Sequence, residues 1–289
     1  MRRQRVLDER PLDPWQGGVD PVVIVTDAAV DLPPGLEDAP SVRVVPGQVW
    51  LGEEPFAGRT EQFWGMVRAG AFPSTTPPTV AALARAYRSA QDVLAVHVSA
   101  ELSATVCRAE AAAATAARPV PVVDSRSLSV GAGLVVAAVH HVVEEGASPG
   151  QAADYARSLA DRLHTFVVVQ DVEWVRRSNR SGLLPPGHLA RRRPVVVAVR
   201  GRVVPLDEVR HRTGALRSVV EHLRRSTGGL LGAWALGHGD AADRDALLGH
   251  LTKELGMPPA FHAPLDPTVG AHLGPESLVV AAVTGAVAL

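Results

Sequence analysis

The stretch VLAVHVSAELSATVCRAEAA, Val93–Ala112, carries the pattern on which the fold turns. Its first six residues form an apolar run without alternation, the mark of a strand buried on both faces. A loop with Ser99, Ser103 and Thr105 follows, and then a helical pattern reaches from Ser103 to Ala117. The same order recurs on either side. Val22–Val25 and Val120–Val123 are short Val-rich runs, and Thr79–Gln91 is a second helical stretch between them. Strands alternating with crossover helices predict a parallel sheet with helices on both faces. Aromatic residues make up only 4% of the chain, so Val, Leu and Ala must pack this core.

Past a helix expected at Gln151–Leu163 the spacing changes. Strand-like runs at Phe166–Gln170, Val195–Val199, Val203–Pro205, Leu231–Leu236 and Leu278–Val283 lie closer together, with helices near Gly214–Arg225 and Asp240–Leu255. The pair Arg200-Gly201 joins two Val runs directly, which permits antiparallel pairing. The reading is an α/β protein of two domains. Residues 21–164 form a three-layer α/β/α domain with a parallel sheet, and residues 165–289 form an α+β domain with a mixed sheet. Residues 1–20, polar and rich in Pro and Gly, read as a flexible leader.

Several function classes are excluded. With 46% hydrophobic residues in 289, the chain buries a sizeable core and is not a disordered polymer. Its formal net charge of -1 lacks the basic footprint of a general nucleic-acid binder. Cys107 is the single cysteine, so neither a disulfide framework nor a Cys-built zinc site is available. No metal is expected, since His140 and His141 lack zinc-helix spacing and read as an exposed helix face beside Glu144 and Glu145. The opening MRRQR runs into Asp8 and Glu9 where a secretory signal would be apolar, and Leu134–Val139 is too short for a membrane span. A cytoplasmic protein is expected. Gly131-x-Gly133 lies too far from the strand end at Asp124 to be a dinucleotide fingerprint, and no P-loop or G-x-S-x-G elbow occurs, so no cofactor is expected. The triplet Arg191–Arg193 reads as solvated charge or as a face for an acidic partner.

Candidate chemistry gathers at strand ends. Asp27 closes the first strand in VVIVTDAAVDLP, where it serves either as an Asx-turn residue or as a ligand orienter beyond the sheet edge. Ser74, Thr75 and Thr76 precede two prolines and a helix, as caps or as donors to an anion. Ser99, Ser103 and Thr105 repeat the arrangement, so two helix N-termini converge above the sheet on a spot suited to a carboxylate. Arg210 and Arg212 stand ahead of a helix, and His272 sits on a Gly-flanked loop in TVGAHLGPE.

Taken in order, these segments resemble the DegV family of bacterial fatty-acid-binding proteins from about Val22 to Leu289. The matching pieces are VTDAAVDLP (Val25–Pro33), STTPPT (Ser74–Thr79) for a T-S-Q-P-S motif and VSAELSAT (Val98–Thr105) for I-S-S-x-L-S-G-T. VDSRSLSVGAG (Val123–Gly133), RRSNRS (Arg176–Ser181) for a G-G-R-I turn, Arg193–Arg212, and AHLGPE (Ala271–Glu276) for H-x-G-P-G complete the set. The resemblance implies that a long-chain fatty acid lies in an apolar tunnel between the domains. It implies further that its carboxyl is presented to a separate fatty acid kinase, which forms the acyl-phosphate, so the chain itself is no enzyme.

By the same resemblance Thr75 and Ser99 bind the carboxyl directly, while Arg210 and His272 organise the site or serve phosphoryl transfer; Asp27 and Ser103, at their strand end and helix start, are further ligand-binding candidates. The sequence departs from the family at Pro77 for Gln, Ala100 for the second Ser, Ala104 for Gly, Ser178-Asn179 for Gly-Gly and Glu276 for the last Gly. Two alternatives stand beside this reading. One is a serine hydrolase using Ser99 and His272 with Asp27 or Asp124 as orienter. The other is a lipid sensor uncoupled from a kinase.

Overall fold

The computed structural model describes residues 22–169, 171–178, 195–199, 203–240 and 243–289. The expected leader 1–20, the Arg200-Gly201 turn, Arg191–Arg193 and the end of the Arg176–Ser181 motif lie outside the described residues.

The first part contains β1 (Val23–Asp27), β2 (Val42–Val45), β3 (Gln48–Leu51), β4 (Glu54–Phe56), α1 (Thr60–Arg68), β5 (Pro73–Thr76) and α2 (Val80–Tyr87). It continues with β6 (Val93–His97), α3 (Thr105–Ala113), β7 (Val122–Asp124), α4 (Ser129–Glu144) and α5 (Pro149–Arg162). Strands β2-β1-β6-β7 form a four-stranded sheet, parallel throughout. The expectation from Val93–Ala112 holds: every residue of β6 is buried, as is every residue of β1.

The second part contains β8 (Leu163–Val169), α6 (Val172–Arg177), β9 (Val195–Val199), β10 (Val203–Glu208), α7 (Arg212–Thr227) and β11 (Leu231–His238). After these come α8 (Arg244–Leu255), β12 (Phe261–Pro264), α9 (Pro267–Leu273) and β13 (Leu278–Thr284). Its six-stranded sheet runs β10-β9-β8-β13-β11-β12, antiparallel except for the β11–β12 pair. Val199 stands opposite Val203, the antiparallel pairing that the spacing of the two Val runs predicts.

Side-chain alternation sorts the core into layers. Val23, Val25, Val93 and Ala95 face α2 and α3, whereas Ile24, Leu94 and Val96 turn to the opposite side. There they meet α4 and α5, which also cover Val279, Ala281 and Val283 of the second sheet. The far face of that sheet, with Phe166, Trp234 and Val280, packs on α7 and α8. Helix α4 is thus sandwiched between two sheets, and its apolar residues occupy nearly the whole circumference, as a fully buried helix requires. Leu134, Val135, Val136 and Val139 have no exposed surface, and each contributes on the order of 1.5–3 kcal/mol by burial. Gly131 and Gly133 let α4 approach this closely: a Cβ on Gly133 would stand 2.1 Å from the Asp31 carbonyl oxygen. The pair that mimics part of a dinucleotide fingerprint is a packing device.

A third sheet, β4-β3-β5, corrects the picture of a first half built only from parallel strands. It is antiparallel, with Leu51 opposite Glu54 across Gly52-Glu53 and Val49 opposite Thr75. Its strands have three or four residues and polar sequences such as PSTT, so no apolar run announces them. This small sheet also overturns the expectation that Ser74–Thr76 cap a helix. Those residues are strand, and Thr79 caps α2 by accepting from the Ala82 N–H at 3.1 Å.

Candidate functional site

Three parallel strands end side by side, and each end carries a polar side chain. Asp27 closes β1. Its Oδ1 accepts from the Ala29 N–H at 3.0 Å, an Asx turn, and its Oδ2 accepts from the Val98 N–H at 3.1 Å and His97 Nδ1 at 2.9 Å. Asp27 therefore forms the Asx turn and also lines a cleft. Because a carboxylate only accepts, His97 donates to Asp27 through Nδ1, and its Nε2 lies 3.4 Å from the Tyr87 hydroxyl. Burial, and secondarily the Asp27 charge, push the Tyr87 hydroxyl well above the usual phenol range. Asp124 closes β7 in the same manner, accepting from the Arg126 N–H at 2.7 Å and the Ala100 N–H at 3.3 Å.

The opposite wall comes from β5 and α9. Thr75 sits on β5, and its Oγ1 lies 2.8 Å from His272 Nε2, so two segments 197 residues apart meet at one hydrogen bond. His272 is helical rather than on a loop, which corrects the sequence reading. Asp266 caps α9 by accepting from the Thr268 N–H at 2.7 Å, Pro267 fills its first turn, and Gly274 at φ 90° ends it. The Asp266-Pro267 pair is the start signal that would have revealed this helix.

Behind α9 lies a cluster that the sequence reading passed over. Asp31 Oδ1 accepts from the Asp266 N–H at 2.8 Å, and Ser129 donates to Asp31 Oδ2 at 2.5 Å. Burial first, then the Asp266 charge, raise the Asp31 carboxyl to about 7. Burial likewise holds the Asp266 carboxyl above its ordinary value.

Between the walls is a cleft of about 90 Å³. Thr75, His272, Ser103 and Asp27 supply polar groups, and Val98, Leu102, Leu128, Val269 and Leu273 supply an apolar lining. Its volume falls below the roughly 300–1,000 Å³ of pockets that enclose a whole drug-sized ligand. Ser103 Oγ pairs with Thr105 Oγ1 at 2.8 Å on the cleft wall. Ser99 is fully buried and is not among the lining residues; its hydroxyl accepts from the Glu101 N–H at 3.3 Å. Arg210 is exposed in the turn between β10 and α7 and does not line the cleft. Arg212 donates to the Glu276 carbonyl at 2.5 Å and pairs with Asp243 at 3.2 Å.

The arrangement bears on chemistry. Thr75 engages His272 Nε2, and Asp27 orients His97 rather than His272, which is not the order of nucleophile, base and orienter that a Ser99 hydrolase requires. Among the described residues no group of three or more His, Cys, Asp or Glu is placed to hold a metal ion. No helix among them is long and apolar enough to cross a membrane.

A model of the DegV family, described as uncharacterised protein, matches residues 21–285. The chain belongs to the DegV family. The DegV domain-containing protein of Deinococcus radiodurans is 31% identical over 278 residues, covering 90% of this chain and 97% of that protein. Its counterpart in Streptomyces coelicolor is 28% identical over 272 residues, covering 90% and 97%. Among solved structures, a DegV family protein from Thermus thermophilus, described for its fatty acid binding, superposes with a TM-score of 0.79 at 28% identity. That match covers 91% of this chain and 99% of the Thermus chain. A stearic acid-binding protein from Eubacterium ventriosum has a TM-score of 0.80 at 19% identity, covering 90% and 97%. At that identity the likeness concerns the fold. The DegV architecture of a parallel sheet followed by a separate mixed sheet is the one found here.

Proposed function

We propose that this DegV protein binds a long-chain fatty acid with its carboxyl between Thr75 Oγ1 and His272 Nε2, and delivers it to a separate fatty acid kinase. The observation that carries the reading is the 2.8 Å Thr75–His272 contact at the polar side of an otherwise apolar cleft. The fatty acid binding of the Thermus relative, at 28% identity over nearly its whole length, supports it. A carboxyl inserted at this contact receives one donor from each wall, and Ser103 and Asp27 complete its surroundings. Ser99 acts from beneath by shaping the turn that carries Leu102 and Ser103.

The acyl chain supplies most of the affinity, at about 0.8 kcal/mol per buried CH₂, while the head group fixes its direction. Since the cleft holds only about 90 Å³, the chain extends past it along the junction of two lobes that divide near residue 165. The kinase transfers the phosphoryl group to a carboxyl oxygen, and the protein's share is to hold that oxygen still. This places the protein in the cytoplasm with its nucleotide-using partner.

Native mass spectrometry of the purified protein tests the reading. A bound adduct of fatty-acid mass, or uptake of added stearate, is expected, together with phosphorylation of that acid by a fatty acid kinase and ATP. Absence of both the adduct and the uptake removes the reading. Binding without phosphorylation reduces it to a lipid sensor.

A further inference from the structure

We propose that Asp31 is a positioning residue for the fatty-acid head group: it holds the cap of α9 and so sets where His272 stands against Thr75. The proposal rests on the fatty-acid reading for its ligand and on geometry for its mechanism. Asp31 follows β1, and three elements converge on it. The Asp266 N–H, at the start of α9, donates to Oδ1 at 2.8 Å, and the Ser129 hydroxyl, at the start of α4, bonds Oδ2 at 2.5 Å. Asp266 in turn accepts from the Thr268 N–H at 2.7 Å. Helix α9 therefore hangs from Asp31 by its cap, and its Thr268, Val269, His272 and Leu273 all line the cleft.

The surroundings hold this joint under tension. Ser129 sits at φ 53°, a left-handed conformation that non-glycine residues seldom adopt, and its N–H is tied to the Ala29 carbonyl at 2.8 Å. Gly133 presses α4 against the Asp31 backbone. The charged groups facing the joint are Asp266 from the cap of α9 and Asp27 from the end of β1, which acts on Asp266. Helix α4 contributes the neutral Ser129, and His272 lies at the far end of α9. The buried Asp31 carboxyl and the half-buried Asp266 carboxyl repel one another without a described cation between them, so they cannot both ionise cheaply.

The sign follows. The Asp31 carboxyl is raised from 3.8 to about 7, so it is protonated below that pH and ionises as pH rises through it. Ionisation sets a second negative charge against Asp266, weakens the hold on α9 and displaces His272. Affinity for the ligand falls with rising pH.

The test is displacement of a fluorescent fatty acid by stearate across about pH 5.5 to 8.5, in the wild type and in Asp31→Asn, which keeps the acceptor and cannot ionise. Titration of the acid is common to both proteins and cancels in the ratio of affinities. The expected ratio is within about twofold at the acid end, and Asp31→Asn binds at least about fivefold more tightly at the alkaline end. Parallel profiles overturn the proposal.

Ligand-free fluorescence gives an independent readout, because Trp64 packs on Gly270 and Trp174 Nε1 donates to the Ala271 carbonyl at 3.1 Å, both on α9. An emission change centred near pH 7 is expected in the wild type and not in Asp31→Asn. Ser129→Ala, which removes a donor favouring the ionised form, moves the change to higher pH and serves if Asp31→Asn does not fold. If stearate binds neither protein at any pH, the fatty-acid reading fails, and the emission change still decides the role of Asp31. An identical change in wild type and Asp31→Asn, or an unshifted one in Ser129→Ala, contradicts it.

Discussion

The two walls of the cleft are built by different rules. On the strand-end wall each polar side chain makes a bond two residues along the chain, Asp27 to the Ala29 N–H, Ser99 to Glu101, Ser103 to Thr105 and Asp124 to Arg126, and Asp27 and Asp124 also tie to the neighbouring strand end at His97, Val98 and Ala100. On the α9 wall they bond across the molecule, Thr75 to His272 over 197 residues and Asp266 to Asp31 over 235. Local bonds shape turns and survive changes elsewhere. The distant bonds exist only when both sheets are docked, so they are the ones able to register a ligand.

The harshest way to break this contrast is to prise the walls apart. Gly133→Val places a branched side chain where even a Cβ would lie 2.1 Å from the Asp31 carbonyl oxygen, and is expected to cost about 3 kcal/mol or more of stability by chemical denaturation. Gly150→Ala, with nothing within 4 Å of the new Cβ, is expected to stay within about 0.5 kcal/mol of the wild type or to stabilise it. Equal effects would mean that α4 does not seat the walls as described.

Next in size are the distant bonds themselves. Thr75→Val and His272→Ala are each expected to weaken stearate binding about tenfold, corresponding to one lost hydrogen bond of about 1.4 kcal/mol, with folding intact by circular dichroism. The double variant is expected to lose less than the product of the two, since the residues contact one another.

The local bonds invert that profile. Ser99→Ala is expected to cost about 1 kcal/mol of stability while changing stearate affinity less than about threefold, because its hydroxyl forms a turn outside the cleft lining. A larger loss of affinity than Thr75→Val produces would place the head group at Ser99 after all. The smallest effect is expected at Arg210→Ala, an exposed turn residue, with affinity and stability both within error in titration and denaturation. A role for Arg210 in the proposed encounter with a kinase would instead be measured as a change in the rate of acyl-phosphate formation.

The same contrast explains what was legible in the sequence. The unalternating Val runs at β1 and β6 state their burial on both faces, so the parallel sheet follows from them alone. The closer Val spacing around Val195–Val199 and Val203 likewise states an antiparallel pair. Short polar strands carry no such period, and β5 with Thr75 is visible only once β3 lies beside it. Of the residues singled out in the sequence, Thr75, His272, Ser103 and Asp27 line the cleft, and Ser99 and Arg210 do not. Their pairing was not. Which of several hydroxyls meets His272 depends on the path of α9, and α9 depends on Asp266 reaching Asp31, a contact that leaves no local trace. Ser99 sits in a motif like that of Thr75, yet its hydroxyl accepts from the Glu101 N–H of its own turn and does not line the cleft.

The central claim is that the head group belongs to the distant pair rather than to the strand ends. A crystal structure of the protein with stearate tests it most directly. The expected density places a carboxyl oxygen within about 3 Å of both Thr75 Oγ1 and His272 Nε2, with the chain leading away past Leu102 and Val269. Density for the carboxyl anywhere else, or a cleft that stays closed around its own side chains at saturating acid, would contradict the account.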